Sequence, residues 1–317
     1  MYRRILVPLD GSRFGEEALP RALSLAAGWD APLELATVVS TEGSGGLSKG
    51  PGVLGDEARS RGEEAAGKYL ETVEERIRES GFQGEVNRTV IPPGNISVAL
   101  VRHLSETEAD LMIMTTHGRG AVQRAWLGST ADGVIRRCPV PLLLIRPSAV
   151  DAGEEGEGRP DLGDRPPHFR RGLIPLDGSA PGELLLEITP PLMDPEGVDY
   201  LLLRAVPPFM ATGTPYLPHV IREAHEQEKV KEGAREYLEK MAERLREKGA
   251  QVETRVETSG QPANAILRVA EEDGADLIAM STHGRGGVAR LLLGSVADKV
   301  VRGAKVPVLL YRESEEG

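Results

Sequence analysis

The sequence predicts an α/β protein built from two tandem, doubly wound domains, each with a five-stranded parallel sheet. Three observations carry this. First, the chain is written twice: "RRILVPLDGS" at 3–12 returns as "RRGLIPLDGS" at 170–179, identical at 8 of 10 positions, and 18 of the 29 residues at 116–144 recur at 282–310. A repeat this long is a duplicated domain, since solenoid periods run to about 20–50 residues. Second, short apolar runs alternate with helical patterns within each half, which places helices on both faces of a parallel sheet through right-handed crossovers. Third, apolar residues make up 40% of the chain and aromatics 4%, so the cores are aliphatic, as strands buried on both faces require.

The elements of the first half follow in order. "RILVPL" (4–9) is a buried strand, and "GEEALPRALSLAAG" (15–28) has helical spacing despite Pro20. "PLELATVV" (32–39) is a second strand, followed by a glycine-rich loop (40–55) and a long charged helix (56–80). A third strand (85–91), a helix (95–108) and a fourth strand, "ADLMIMTT" (109–116), come next. "STADGVIRRC" (129–138) is a helix and "VPLLLIR" (140–146) the last strand. The second half repeats the strands as "GLIPLD", "DYLLLRAV", "QVETRVET", "ADLIAMST" and "VPVLLYR". It differs in a Pro-Pro within its first helix region and in a proline-rich exit from its second strand, "PPFMATGTPYLPH". The domains are expected at 1–147 and 170–313. The segment between them, 148–169, is rich in Gly, Pro and acids and reads as a flexible, solvated linker.

Composition excludes several functions. A net charge of -11 speaks against nucleic acid as a partner. A single cysteine, Cys138, leaves no disulfide framework and no cysteine-rich zinc site, and Cys138 reads as a small half-buried side chain. No apolar run approaches the ~18 residues of a membrane helix, and the N-terminal run is too short for a signal peptide, so a membrane is not expected as a partner and the cytoplasm is the expected location. The histidines show no metal-ligand spacing.

Open parallel sheets bind ligands beyond the carboxyl ends of their strands. Asp10 ends the first strand, with Asp177 as its twin, and "LDGS" is equally good turn chemistry. "THGRGAVQRAWLGS" (116–129) and "THGRGGVARLLLGS" (282–295) follow the fourth strand of each half. Gly118 and Gly128 there remove side chains where a ligand would meet the backbone, and Ser129 opens a helix whose free N–H groups favour an anion. Alternatively, Ser129 simply N-caps that helix, with Asp132 completing a capping box. Arg119 and Arg285 are placed to meet phosphate, with a solvated arginine as the equal alternative. His117 and His283 have no Ser–His–Asp or Cys–His partners and read as loop-stabilising groups. A G-x-x-x-x-G-K match at Gly62–Lys68 lies inside the acidic helix, follows no strand and lacks the metal-holding Ser or Thr, so it is rejected as a P-loop.

On "ILVPLDGS", "THGRG", "LGS" and "PVPLLLI", the chain closely resembles the universal stress protein family in its tandem two-domain form, over nearly all of both halves. The family's ATP-binding members carry G-x-x-G-x(9)-G-[S/T]. Gly118, residues 119–127, Gly128 and Ser129 match it, as do Gly284, residues 285–293, Gly294 and Ser295. The first glycine departs, being Thr115 and Ser281.

The resemblance implies an adenine nucleotide alpha hydrolase-like fold, with the two domains paired through their last strands as a pseudo-dimer and a homodimer as a further association. It implies ATP as the ligand, with or without Mg2+. Asp10 and Asp177, with Pro8 and Pro175 beside them, would contact the nucleotide. The backbone near Val38 and Val206 would hold the adenine. Thr115, His117, Gly118, Arg119, Gly128, Ser129 and Thr130 would surround the phosphates, as would Ser281, His283, Gly284, Arg285, Gly294, Ser295 and Val296. The function implied is that of an ATP-binding stress-response regulator or sensor with at most slow hydrolysis, since no positioned general base is readable. The alternatives are an interaction module whose sites are empty and a nucleotide-handling enzyme on a related fold.

Overall fold

The computed structural model describes residues 1–39, 56–116, 127–147, 158–195, 197–209, 217–283 and 293–312. They fall in two compact units, Met1–Pro167 and His168–Gly317. Unit 1 runs β1 (Ile5–Pro8), α1 (Arg13–Glu16), α2 (Leu19–Trp29), β2 (Leu33–Val38), α3 (Asp56–Glu79), β3 (Val86–Ile91), α4 (Ile96–Glu106), β4 (Leu111–Thr115), α5 (Ser129–Ile135) and β5 (Leu142–Ile145). Its strand order is β3-β2-β1-β4-β5, and each pairing is parallel. Unit 2 runs β6 (Arg171–Pro175), α6 (Ala180–Ile188), a 3-10 turn (Pro190–Leu192), β7 (Asp199–Val206), α7 (Leu217–Arg246), β8 (Gln251–Thr258), α8 (Pro262–Glu272), β9 (Leu277–Ser281), α9 (Ser295–Gly303) and β10 (Val308–Tyr311). Its order, β8-β7-β6-β9-β10, repeats that of unit 1, again with parallel pairings.

The strands form because their aliphatic runs are covered on both faces. Ile5, Leu6 and Val7 on β1 and Leu173 and Ile174 on β6 are wholly buried. Each such side chain stabilises its unit by roughly 1.5–3 kcal/mol relative to exposure. Side chains alternate along a strand. Arg204 on β7 stacks on Tyr237 of α7, whereas Leu203 and Ala205 share a cavity with Pro262 and Ile266 of α8. Thus α7 and α8 cover opposite faces. An aspartate fastens the start of each central strand. Asp110 accepts from the backbone N–H groups of Arg3 and Arg4 at 2.9–3.0 Å, and Asp276 from those of Arg170 and Arg171 at 2.8–3.0 Å.

Two expectations need correction. The single helix expected over 15–28 is two, α1 and α2, with Pro20 in the first turn of α2. Proline lacks the N–H and its ring crowds the carbonyl four residues back, so it is accommodated only where a helix begins. The helix expected over 180–195 likewise ends at Ile188, and Pro190 and Pro191 pass into the 3-10 turn.

The second correction concerns the linker. Of its described residues, those at 158–167 pack within unit 1 as a strap rather than as a solvated chain, and 168–169 belong to unit 2. Leu162 is 4% exposed. Arg165 stacks over Phe82 and donates to the Ser80 carbonyl at 3.0 Å. Arg21 and Ser24 of α2 donate to the carbonyls of Pro167 and Pro166. Arg159 meets the fully buried Glu16 at 3.0 Å, beside Arg76 at 2.6 Å and the Tyr69 hydroxyl at 3.0 Å. Arg76 also donates to the Pro160 carbonyl at 3.1 Å. A carboxylate without exposure needs such partners, because an unpaired buried charge is costly. Composition masked this docking: two arginines, one leucine and several proline carbonyls in an otherwise acidic stretch make the contacts. Cys138 is fully buried rather than half-buried.

Candidate functional site

In both units the strand order reverses between the first and fourth strands, β1 and β4 or β6 and β9. The crevice beyond their carboxyl ends is the expected binding place of an open α/β sheet. One lip is the Asp-Gly-Ser turn. Asp177 Oδ1 accepts from the Ser179 backbone N–H at 3.0 Å and from its hydroxyl at 2.6 Å. Ser179 Oγ in turn accepts from Gly182 N–H in the first turn of α6. Unit 1 repeats this with Asp10, Ser12 and Gly15, again at 3.0 and 2.6 Å. The residue between must reverse the chain with a positive φ, +80° at Gly11 and +83° at Gly178, which glycine adopts without strain.

Asp177 is not only a turn residue. It lines a cavity of about 500 Å³ in unit 2. Leu203 and Ala205 of β7, Pro262 and Ile266 of α8 and Met280 of β9 form an apolar wall. Asp177, Ser281, Thr282, His283 and Ser295 supply the polar groups, with Gly294 and Val296 completing the floor. Near Asp177, the Tyr237 hydroxyl donates to Glu183 at 3.2 Å, and Arg244 pairs with the same carboxylate. Burial, reinforced by the negative charges of Glu183 and Asp177, pushes the Tyr237 phenol up to about 12, so it remains a neutral donor.

The polar end is shaped by a backbone pin. Gly294 N–H donates to the Thr282 carbonyl at 2.9 Å, and Thr282 N–H donates to the Tyr311 carbonyl of β10 at 2.8 Å. Unit 1 has the same pin from Gly128 to Thr116, also 2.9 Å. A Cβ at Gly294 would lie 2.8 Å from the Thr282 carbonyl oxygen, so this glycine is needed for a close approach of backbone to backbone. The N-cap positions are Gly128 and Gly294, without a side-chain capping bond, and Ser129 and Ser295 are the first helical residues. This corrects the reading of Ser129 as an N-cap with an Asp132 capping box. Asp132 pairs instead with Arg136, and Asp298 with Arg302. Among the described residues no side chain caps the start of α9, and Ser295, Val296 and Ala297 line the cavity.

The structure thus brings Pro175, Asp177, Ser281, His283, Gly294, Ser295 and Val296 around one cavity. Val206 is buried but is not in its lining; Ala205 and Leu203 are. The reason is the register: Pro175 lies opposite Leu203, and side chains two apart share a face. In unit 1, Pro8 lies opposite Ala36, so Val38 is the counterpart of Ala205 rather than of Val206. Pro8, Asp10, Thr115, Gly128, Ser129 and Thr130 occupy the same carboxyl end of unit 1. Thr115 and Ser281 are the last residues of β4 and β9, in ladder register with Ile145 and Tyr311. Neither has a positive φ, so a side chain is accommodated at both positions. His117, Gly118, Arg119, Gly284 and Arg285 lie outside the described residues. Sequence reasoning missed Leu176, Leu203, Ala205, Pro262, Ile266, Met280, Thr282 and Ala297. Of these, Thr282 carried a signal, its twin Thr116.

Fold and site together define a duplicated α/β protein with a ligand-sized cavity at the switch point of its parallel sheet. The sequence model of the universal stress protein family matches residues 1–146 and 168–312, and the chain belongs to that family. A universal stress protein of Mycobacterium tuberculosis is 27% identical over 318 residues, covering 98% of this chain and 96% of the relative. Another from the same organism is 28% identical over 209 residues, covering 65% of this chain; that match spans 63% of the relative's length. The crystal structure of a universal stress protein from Archaeoglobus fulgidus is similar in fold, with a TM-score of 0.64 at 20% identity over 99% of this chain and 97% of the other. Among the described residues no helix is long and apolar enough to cross a membrane.

Proposed function

We propose that the chain binds an adenine nucleotide, ATP, in the unit 2 cavity and at the matching positions of unit 1, and acts as a stress-response regulator whose signal is occupancy. The observation that carries this is the cavity itself. Its roughly 500 Å³ falls within the ~300–1,000 Å³ of small-molecule sites. The wall of Leu203, Ala205, Pro262, Ile266 and Met280 suits a purine face. Asp177, held rigid through Oδ1 by its turn, presents a carboxylate suited to ribose hydroxyl donors. At the other end, the uncapped start of α9 suits phosphate oxygens through N–H groups and the helix dipole. These residues fit the nucleotide on all three of its parts.

Ser281 and Thr115 replace the motif glycine at ordinary strand positions, so the ligand meets a small hydroxyl side chain there and not a changed backbone. No cluster of three or more His, Cys, Asp or Glu suited to a metal lies among the described residues. Turnover is slow in this reading, because Asp177 is assigned to the ribose and not to activating a water at the phosphates. The test is the nucleotide-to-chain ratio released by denaturing freshly purified protein, followed by calorimetry with ATP and magnesium. One or two nucleotides per chain is the expected result. Zero by both methods overturns the reading and favours an interaction module.

A further inference from the structure

Beside Asp10, unit 1 holds a wholly buried carboxylate that takes an arginine from the strap. Glu16 Oε1 accepts from the Tyr69 hydroxyl at 3.0 Å and meets Arg159 at 3.0 Å, while Oε2 accepts from Arg76 at 2.6 Å. The Arg159 guanidinium also lies over the Tyr69 ring, 5.8 Å from its centre, and the Pro160 carbonyl accepts from Arg76. A carboxylate, an aromatic face and a donor to the next carbonyl together make a receptor for an Arg-Pro pair.

Unit 2 shows what this receptor replaces. There Glu183 meets Tyr237 and Arg244, and the arginine over the tyrosine ring is Arg204 of β7, 4.6 Å from its centre. Arg204 follows Leu203, which lies opposite Pro175; in unit 1 Pro8 lies opposite Ala36, so Thr37 stands in the place of Arg204. Unit 1 thus draws from the strap a cation that unit 2 carries on its own strand. A strand arginine is fixed by the sheet. Arg159 sits on a segment with neither helix nor strand, and its side chain is 44% exposed, so it is able to undock.

The receptor is joined to the ligand end of β1 by α1, which has four residues. Its N-cap is Ser12, whose Oγ donates to Asp10 Oδ1 at 2.6 Å and accepts from the Gly15 N–H at 3.0 Å; its last residue is Glu16. A Cβ at Gly15 would lie 2.7 Å from Asp10 Oδ1, so α1 sits directly against Asp10. The charge of Asp10 also reaches the receptor: burial first, then Glu16 and Asp10, push the Tyr69 phenol up. A ligand hydroxyl on Asp10 and a docked strap on Glu16 therefore order the same short helix from its two ends. Whichever binds first spares the other part of the ordering cost, and by linkage the effect is reciprocal.

We propose that the strap is a latch on unit 1, docked through Arg159 on Glu16 and tightened by ligand at Asp10, so that occupancy of the unit 1 site sets the freedom of the segment leading into unit 2. This rests on the nucleotide reading above and adds regulation to that site.

The test is hydrogen exchange read by mass spectrometry on the full chain, over 158–165. Saturating ATP with magnesium is expected to slow exchange there by about fivefold or more in wild type and in Asp177→Ala, which disables the unit 2 site, but not in Asp10→Ala. Reciprocally, in the Asp177→Ala chain, Arg159→Ala and Leu162→Ser each weaken ATP binding by about fivefold or more in calorimetry. Leu162 is uncharged and 4% exposed, so its loss undocks the strap without removing a cation near Asp10. Strap exchange unmoved by ATP, affinities within about twofold in both variants, or a loss confined to Arg159→Ala overturns the inference and leaves nucleotide binding standing. So does an Asp177→Ala chain that binds no ATP while wild type does, because unit 1 then holds no ligand. A wild-type chain that binds no nucleotide overturns both.

Discussion

Substituting Gly294 by alanine tests whether the loop pin is a structural requirement. The new Cβ would sit 2.8 Å from the Thr282 carbonyl oxygen and 3.9 Å from His283 Cα. The obstacle is backbone, so no rotamer change relieves it. If α9 retreats, the 2.9 Å bond from Gly294 N–H to Thr282 is lost; if the strand end retreats, the 2.8 Å bond from Thr282 N–H to Tyr311 is strained. A lost bond costs about 0.5–1.5 kcal/mol and forced overpacking about 1–3 kcal/mol, so the expected destabilisation is roughly 2–4 kcal/mol. Both tryptophans, Trp29 and Trp126, belong to unit 1. Urea unfolding followed by tryptophan fluorescence therefore reports unit 1, and far-UV circular dichroism reports both units. Gly294→Ala is expected to shift the circular dichroism transition by that amount and to weaken ATP binding. A curve within about 0.5 kcal/mol of wild type would show that the pin yields freely and that the glycine serves the ligand alone.

Three further sets of measurements probe unit 1. Glu34 is buried on β2 and bonded to His103 at 3.0 Å and Thr89 at 2.7 Å, whereas unit 2 has Leu201 and Val269 in the two main positions. His103→Val alone strands the carboxylate and is expected to cost about 3–5 kcal/mol, while Glu34→Leu with His103→Val comes within about 1 kcal/mol of wild type. Burial pushes the Glu34 carboxyl up, but the bonds from His103 and Thr89 and the charges of His103 and Arg4 outweigh it, leaving a net lowering from 4.5. The pair's contribution is therefore present above about pH 4.5 and lost as pH falls through the lowered folded value, so urea titrations of wild type and double variant converge in acid. Arg76→Ala is expected to cost about 2–4 kcal/mol and Arg159→Ala about 1 kcal/mol, since Arg76 is the more buried partner of Glu16; Arg159→Ala also opens 158–167 to proteolysis, and equal costs would refute the ranking. Burial pushes the Cys138 thiol up to about 12, so a disulfide reagent at about pH 8 should titrate no thiol in the native chain and one in denaturant.

Much of this was legible in the residues because repetition and periodicity are local signals. The strands announced themselves as aliphatic runs, and the site's poles, Asp177 and Ser295, as a turn and a helix start. What escaped depended on contacts between distant residues. The apolar wall is assembled from β7 and α8, which meet only through the β7–β8 pairing and the crossover, so nothing near Asp177 advertises Ile266. The displacement from Val206 to Ala205 is a register effect, and a one-residue slip exchanges the two faces. Pro20 was visible, yet its consequence, two helices in place of one, depends on where the helix begins. Arg159 and Arg165 looked like linker charges because Glu16 and the Ser80 carbonyl, which bind them, lie about 80–140 residues away in sequence.

The two halves also act as independent foldings of one plan, and their differences locate what the plan protects. The helix after Asp10 is a four-residue turn that breaks before α2, whereas the helix after Asp177 runs nine residues. The Asp–Ser bonds are nonetheless 3.0 and 2.6 Å in both. Glu16 is wholly buried under the strap and Glu183 is partly exposed, yet each meets a tyrosine and an arginine of the long helix. Buried polarity at Glu34 and His103 is replaced by hydrocarbon at Leu201 and Val269 without altering the strand order. Recurring geometry lies at both ends of the strands: in the aspartates that fasten the central strands' starts, and at the carboxyl ends in the Asp turn and the Thr–Gly pin. In the proposed nucleotide reading, the recurrence at the carboxyl ends has a use: donors and acceptors there would stay in register with the same molecule in both halves.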